Sequence, residues 1–265
     1  FRTWFYRVDL SRRINFKVNS GEFADSFWKT PDELLETFNT GKSLMVPPTR
    51  WVLEGLQKNP QATVFGDLSQ NFAENKTVPC LEMLEGVPQY AVRSATLPPA
   101  SRTNAFLLGD ADAPKLLVDP SPNSAEEYQR LLNTIEGKKL DAIFLTHHHP
   151  DHHQFSNQLA RQLKLPIFLS QDTQQRLTLK NGDDYFEQIE LRNMVENEEV
   201  TRWHGSAVRV YEIPGHDAGH LGLAPDTLSW FIVGDLIQGI GTVVIPSPEG
   251  DMATYFKTLE KVIAL

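Results

Sequence analysis

The segment that most restricts the possible fold is residues 146–153, in which five of the seven residues from His147 onward are histidine. It follows the apolar run DAIFLT, which predicts a buried strand, and it leads into HPDHHQFSNQLARQLK, which predicts a helix. Five buried imidazoles would each need a polar partner, so this segment is a poor candidate for core. We interpret it as a metal-binding loop between a strand and a helix. A solvated histidine-rich loop is the alternative.

The spacing within this loop suits a metal site. His147 and His149 alternate, so in an extended segment both imidazoles can point the same way. Asp151 and His152 stand at the start of the predicted helix and can face a neighbouring point. Imidazole and carboxylate ligands suit Zn²⁺, and also iron or manganese.

Two later segments place further ligand types at strand ends. In IPGHDAGH, His216 directly follows a strand-like run, and His220 lies four residues later. In SWFIVGD, Asp235 ends another apolar run that predicts a strand. Either residue alone would more often be an ordinary turn residue. Together with the histidine loop, they predict one shared metal site, with His220 beside it and Thr146 and Asp141 steadying the loop.

Composition excludes several classes of protein. The chain has 265 residues and a formal net charge of −9, which disfavours tight non-specific binding of nucleic acid. No apolar run approaches the roughly 20 residues that span a bilayer, so we expect no membrane partner. Cys80 is the single cysteine, so an internal disulfide is impossible, and a cytoplasmic location is the expectation. The sequence leaves the oligomeric state open.

The order of predicted elements divides the chain into three parts. Residues 1–60 predict a small α/β segment, residues 61–88 a linker, and residues 89–265 a larger domain in which strands and helices alternate. That alternation predicts an α/β (α+β) fold with helices packed on sheets. Since the chain begins without Met and stops inside a predicted helix, we expect a fragment, with the larger domain truncated at its C-terminus.

The ligand pattern resembles the metallo-β-lactamase superfamily, in its glyoxalase II-like and lactamase-β-like branch. The resemblance runs from about residue 97 to the end and rests on HHHPDH, GHDAGH and GD at 147–152, 215–220 and 234–235. It implies an αββα sandwich with a metal site at one edge. It also implies that His147, His149 and His216 bind a first ion, that Asp151 and His152 bind a second, and that Asp235 bridges both.

The resemblance further implies a metal-dependent hydrolase in which a metal-bound hydroxide attacks the substrate, with Asp151 orienting the hydroxide. Family members of this type supply one more histidine to the second ion, but here no histidine follows His220. We therefore predict fewer than two tightly bound ions per chain. The catalytic residues expected are Asp151 and His220.

The N-terminal segment resembles the C-terminal part of a Nudix hydrolase domain. The resemblance rests on RTWFYRVD, the acidic Glu22 and Asp25 before Trp28, and the segments PDELLETF and PPTRWVLEGL. No glutamate-rich Nudix box is present, so no pyrophosphohydrolase activity is assigned to it. A generic α/β extension is the alternative.

The motif fixes the chemistry of the water but leaves the substrate open, because one fold hosts many functions. The leading hypothesis is hydrolysis of an ester, thioester or amide in a small molecule. The alternatives are a nucleic-acid phosphodiesterase of the same fold, which the acidic charge disfavours, and a non-catalytic module with a degenerate metal site. A third alternative is a bifunctional protein whose N-terminal half, missing from this sequence, acts on nucleotide or coenzyme A diphosphates.

Overall fold

The computed structural model describes residues 5–14, 21, 26–62 and 76–265. It divides into two compact units, Phe1–Gln70 and Asn71–Leu265. The described residues of the first unit form two helices, α1 (Pro31–Asn39) and α2 (Pro47–Lys58). Thr30 caps α1 in a reciprocal capping box with Glu33, as the sequence TPDE favours. Glu22 and Asp25 lie outside the described residues, and the Nudix-like assignment stays a prediction.

The second unit contains a seven-stranded sheet whose strands follow one another in chain order. The strands are β1 (Cys80–Leu81), β2 (Gln89–Arg93), β3 (Arg102–Leu108), β4 (Leu116–Val118), β5 (Ala142–Phe144), β6 (Ile167–Leu169) and β7 (Leu191–Asn193). Neighbours are antiparallel from β1 to β4 and parallel from β4 to β7. Strands β4 and β5 therefore end at the same edge of the sheet.

A second, three-stranded antiparallel sheet has the order β10-β9-β8. Its strands are β8 (Glu199–Trp203), β9 (Ser206–Glu212) and β10 (Leu221–Pro225). The helices of this unit are α3 (Ala125–Ile135), α4 (Pro150–His153), α5 (Ser156–Leu163), α6 (Gln171–Asn181) and α7 (Met252–Ile263), with 3₁₀ turns at Asp183–Phe186 and Gly234–Leu236. No helix within the described ranges has the length and apolar character that crossing a bilayer requires.

Alternate residues of the central strands face two different cores. Leu117 and Ile143 pack with the apolar faces of α3, α5 and α6, whereas Leu116 and Phe144 pack with residues of β9 and β10. Helices α3, α5 and α6 therefore cover one face of the large sheet and the small sheet covers the other, because strand side chains alternate between faces. The predicted mixed α/β class is confirmed.

Three local predictions differ from the structure. The helix predicted from residue 149 onward is broken into α4 and α5, because Phe155 takes a left-handed φ of +62° and stacks on Tyr128. The strand predicted from SWFIVGD is reduced to a single bridge between Ile232 and Leu223, since Gly234 turns the chain with φ +49°. Strand β1 lies within the predicted linker and pairs with β2.

Candidate metal centre

The predicted ligands come from loops at one edge of the two sheets. The chain leaves β5 at Leu145 and reaches the histidine loop, while His216 lies between β9 and β10. The backbone N–H of Leu221, at the start of β10, donates to the Thr146 carbonyl, which ties these loops together. Asp235 lies in the 3₁₀ turn after the Ile232 bridge. Rigid strands thus hold loops that carry the functional side chains.

Three imidazoles form what we call the first group: His147, His149 and His216. The Nδ1 atom of His149 lies 3.1 Å from Nε2 of His147 and 2.9 Å from Nε2 of His216. Three ring nitrogens thus converge on a single point. His147 and His216 are buried, whereas the His149 side chain is 18% exposed. Solvent reaches this group from the side of His149.

Hydrogen bonds on the far side of each ring determine which nitrogen keeps a lone pair. The Thr146 hydroxyl donates its hydrogen to Asp119 Oδ2 (2.7 Å). The hydroxyl oxygen of Thr146 can therefore accept a hydrogen bond from Nδ1 of His147 (3.0 Å). Nδ1 of His216 donates to the Val244 carbonyl (2.6 Å). Both rings then direct the lone pair of Nε2 toward the group, which is the form that binds a cation.

A second group consists of His152, Asp151 and Asp235. Nε2 of His152 lies 3.2 Å from Asp235 Oδ1 and 3.7 Å from Asp151 Oδ2. The other oxygen of Asp235 lies 3.8 Å from Nε2 of His216. Asp235 thus belongs to the second group and also lies near the first. The side chains of Asp151 and Asp235 are 13% and 19% exposed, so this group also reaches solvent.

Asp119 organises the loop, and our sequence analysis did not identify it. It follows β4, is 2% exposed, and accepts from the backbone N–H and the hydroxyl of Thr146 and from Nδ1 of His152, the last at 2.7 Å. This arrangement leaves Nε2 of His152 facing Asp235. The sequence signal was an aspartate at the end of the apolar run LLVD, beside the strand that feeds the histidine loop. The predicted support from Thr146 is present.

The local electrostatics act differently on the imidazoles of the two groups. Burial, together with the neighbouring imidazoles, lowers the pKa of His147 and of His149. Burial also disfavours the charged forms of His152 and Asp235, but charged neighbours outweigh its effect. The carboxylates of Asp119 and Asp235 raise the pKa of His152, and the His152 imidazole lowers the pKa of Asp235. His147 and His149 therefore favour their neutral forms, and Asp235 in the second group favours its ionised form.

These donor sets fit divalent cations. The first group offers three nitrogens whose ligand atoms lie within 4.8 Å of one another, as do the ligand atoms of His147, His152 and Asp235. Nitrogen and carboxylate donors suit Zn²⁺, Fe²⁺ and Mn²⁺. No histidine beyond His220 occurs in the sequence, so the second group has fewer nitrogen donors than the first.

His220 was predicted to be catalytic, and it lies beside the first group. Its ring centroid is 4.7 Å from that of His147, but it is only 1% exposed, and neither ring nitrogen has a hydrogen-bond partner among the described residues. Burial lowers the pKa of His220 to about 3, so it is neutral at physiological pH. The ring packs against Gly234, at which a Cβ atom would meet its Nε2 atom. A catalytic role for His220 stays a prediction.

The remaining histidines of the loop face elsewhere. His148 and His153 are both buried. Nδ1 of His148 lies 2.7 Å from Asp217 Oδ2, and Nδ1 of His153 lies 2.8 Å from the Tyr185 hydroxyl. The prediction for Asp141 was wrong: its carboxylate accepts from the Lys115 backbone N–H (2.8 Å), because it precedes β5 and lies at the opposite end of that strand from the loop.

Comparison with known proteins places this arrangement in a family. The chain is 31% identical over 141 residues to a hydroxyacylglutathione hydrolase of Wigglesworthia glossinidia brevipalpis, covering 51% of this chain and 47% of the relative. It is 27% identical over 167 residues to the beta-lactamase-like protein 2 homolog of Caenorhabditis elegans, covering 60% of this chain and 51% of that protein. The chain thus spans about half the length of the curated relatives it matches.

A solved structure of a protein in a di-iron-bound form superposes with a TM-score of 0.50 at 25% identity, covering 66% of this chain and 87% of that one. The sequence profile of the Metallo-beta-lactamase superfamily matches residues 98–265, which is more than half of the chain and includes both groups of ligands. The predicted αββα fold class agrees with these matches. The chain belongs to the metallo-beta-lactamase superfamily.

Proposed function

We propose that this protein is a metal-dependent hydrolase that cleaves an ester, thioester or amide bond in a small-molecule substrate. The observation that carries the proposal is the convergence of His147 Nε2, His149 Nδ1 and His216 Nε2, with 3.1 and 2.9 Å between neighbouring nitrogens. Three imidazole nitrogens at this separation, with Asp235 beside them, form a site for a cation. One or two ions, Zn²⁺ with iron or manganese as alternatives, are the proposed cofactors.

The proposed roles of the residues follow from their positions. His147, His149 and His216 would hold the first ion, Asp151 and His152 would hold the second, and Asp235 would be available to both, since its two oxygens lie near His152 and His216. A bound divalent cation would lower the pKa of a water molecule to about 7 and stabilise negative charge that develops on the substrate oxygen. Asp151, which is partly exposed, accepts a hydrogen bond from the attacking water and orients it.

The substrate class rests on similarity and on charge. The relative from Wigglesworthia is named for hydrolysis of a hydroxyacylglutathione, which is a thioester. A small acyl or thioester substrate is therefore the proposed class. The net charge of −9 disfavours the alternative, a polyanionic nucleic acid. The cytoplasmic location stays a prediction.

Parallel assays on the metal-free chain, reloaded with zinc, manganese or iron(II), would test the proposal. We expect cleavage of a hydroxyacylglutathione thioester that disappears in His149→Ala. The matched control is His204→Asn, because His204 is a histidine outside both groups and asparagine tolerates its φ of +48°. Cleavage of single-stranded RNA without thioester cleavage would overturn the substrate class. Turnover that survives in His149→Ala would overturn the proposed mechanism.

A further inference from the structure

A short irregular segment, residues 244–251, supports the first group from outside. We call it the strap. Its first residue, Val244, accepts from Nδ1 of His216 through its backbone carbonyl (2.6 Å). Near its other end, the carboxylate of Glu249 reaches His149, with Oε2 lying 3.3 Å from Nε2. One segment thus contacts two of the three imidazoles on the sides that face away from the convergence point.

The strap is fixed to the loop that carries His216. The Ala218 N–H donates to the Glu249 carbonyl (3.0 Å), and the Asp251 N–H donates to the Gly215 carbonyl (2.9 Å). Gly250 permits this close approach, since a Cβ atom there would lie 2.6 Å from the carbonyl oxygen of His216. Asp251 in turn caps α7 through the Thr254 N–H (2.7 Å). Hydrogen bonds at Glu249 and at Asp251 therefore fix the backbone from which the Glu249 side chain extends.

The contact between Glu249 and Nε2 of His149 determines which nitrogen of the His149 ring carries the proton. A neutral imidazole carries one proton, and the partner of one nitrogen determines which nitrogen keeps it. A carboxylate accepts only, so its contact with Nε2 places the proton there and leaves the lone pair on Nδ1. Nδ1 is the atom that lies near His147 and His216. The other oxygen of Glu249 lies 3.6 Å from Nε2 of the adjacent His148.

We infer that Glu249 is a positioning residue for the metal centre: its carboxylate holds His149 in the tautomer and orientation that a cation at the first group requires. This inference rests on the proposed function, because it assumes that the first group binds a cation. Carboxylate partners of metal-binding histidines typically change metal affinity 10- to 100-fold. Glu249 lies a hundred residues from His149 in sequence, so no local motif indicates the pairing.

The test compares Glu249→Ala and Glu249→Gln with a matched control, Glu85→Ala. Glu85 also contacts a histidine, His204, at 2.7 Å, but both lie outside the two groups. Zinc affinity is measured by competition with a chromophoric chelator, and the tautomer of His149 is read in the metal-free protein by long-range ¹H–¹⁵N NMR. The His149 signal is assigned by its loss in His149→Ala.

We expect Glu249→Ala to weaken zinc binding about 10- to 100-fold and to lose the pure Nε2–H tautomer of His149. Glu249→Gln should fall between Ala and wild type, because its amide oxygen still accepts from Nε2–H, and Glu85→Ala should match wild type. Wild-type affinity and tautomer in Glu249→Ala would overturn the inference. If the wild-type protein bound none of zinc, iron(II) and manganese, the proposed function would fail, while the NMR spectrum would still report whether Glu249 sets the tautomer.

Discussion

The two ligand groups share one edge of the fold but differ in composition and support. The first consists of three imidazoles whose remaining nitrogens contact neutral or acidic partners, namely Thr146, the Val244 carbonyl and Glu249. The second has one imidazole, His152, and two carboxylates, and its support comes from Asp119. In the first group two ring nitrogens lie 2.9 and 3.1 Å from Nδ1 of His149, whereas in the second group the carboxylate oxygens lie 3.2 and 3.7 Å from Nε2 of His152.

This difference indicates an order of binding. A set of three imidazole nitrogens held in place by hydrogen bonds is prepared for an ion before it arrives, so little ordering accompanies binding. In the second group, Asp235 and Asp119 surround His152 and favour its protonated form, so a cation there must displace a proton. We therefore expect the first ion to bind more tightly than the second.

The largest expected effect separates the two groups directly. His149→Ala removes one of three nitrogens and should weaken the tight ion roughly 100- to 1,000-fold, whereas His152→Ala should leave that ion bound and reduce only the weaker one. Calorimetric titration of the metal-free protein with zinc would measure both steps. Equal loss of the tight ion in the two variants would contradict the assignment of separate groups.

A smaller effect should come from the support of the second group. Asp119→Asn keeps the shape of the side chain and tolerates the φ of +48°, but it replaces an acceptor-only carboxylate. We expect the weaker ion to bind about 10- to 100-fold less tightly, with a smaller effect on the first. Asp141→Asn is a suitable control, since Asp141 is also an aspartate beside a central strand but contacts Lys115. A change confined to the first ion would reverse our interpretation.

The packing behind the first group offers a prediction about stability. Gly234 has φ +49°, and a Cβ atom there would meet His220 and lie 3.1 Å from the Thr146 hydroxyl. Gly234→Ala should cost about 2 to 4 kcal/mol of unfolding free energy, from the left-handed backbone and the contact with a buried ring. Chemical denaturation would measure this. Gly239→Ala has open space and should change stability by far less.

The smallest effect concerns Tyr185, whose hydroxyl lies 2.8 Å from Nδ1 of His153, a histidine that belongs to neither group. Burial raises the pKa of its partner Tyr185 to about 12. Between pH 10 and 12 the unfolded chain loses this proton while the folded chain keeps it, so stability falls as pH rises. Tyr185→Phe should reduce the loss between pH 8 and 11 by about 1 kcal/mol, measured by denaturation at each pH. Tyr6→Phe, at a position 86% exposed, should leave that loss unchanged.

The sequence predicted the residues of the site better than their support. His147, His149 and His152 lie within one loop beside an apolar strand, so spacing alone brings them near each other. Asp119 and Glu249 act through contacts 33 and 100 residues apart in sequence, which depend on the packing of strands and strap. The helix break at Phe155 was missed because it depends on a left-handed residue that composition does not indicate.

The most direct test of the account is a crystal structure of the zinc-loaded chain with anomalous scattering data at the zinc edge. We predict a strong anomalous peak within coordination distance of His147 Nε2, His149 Nδ1 and His216 Nε2. A weaker peak should lie beside His152, Asp151 and Asp235. A zinc-saturated crystal with no peak among those three nitrogens would contradict it.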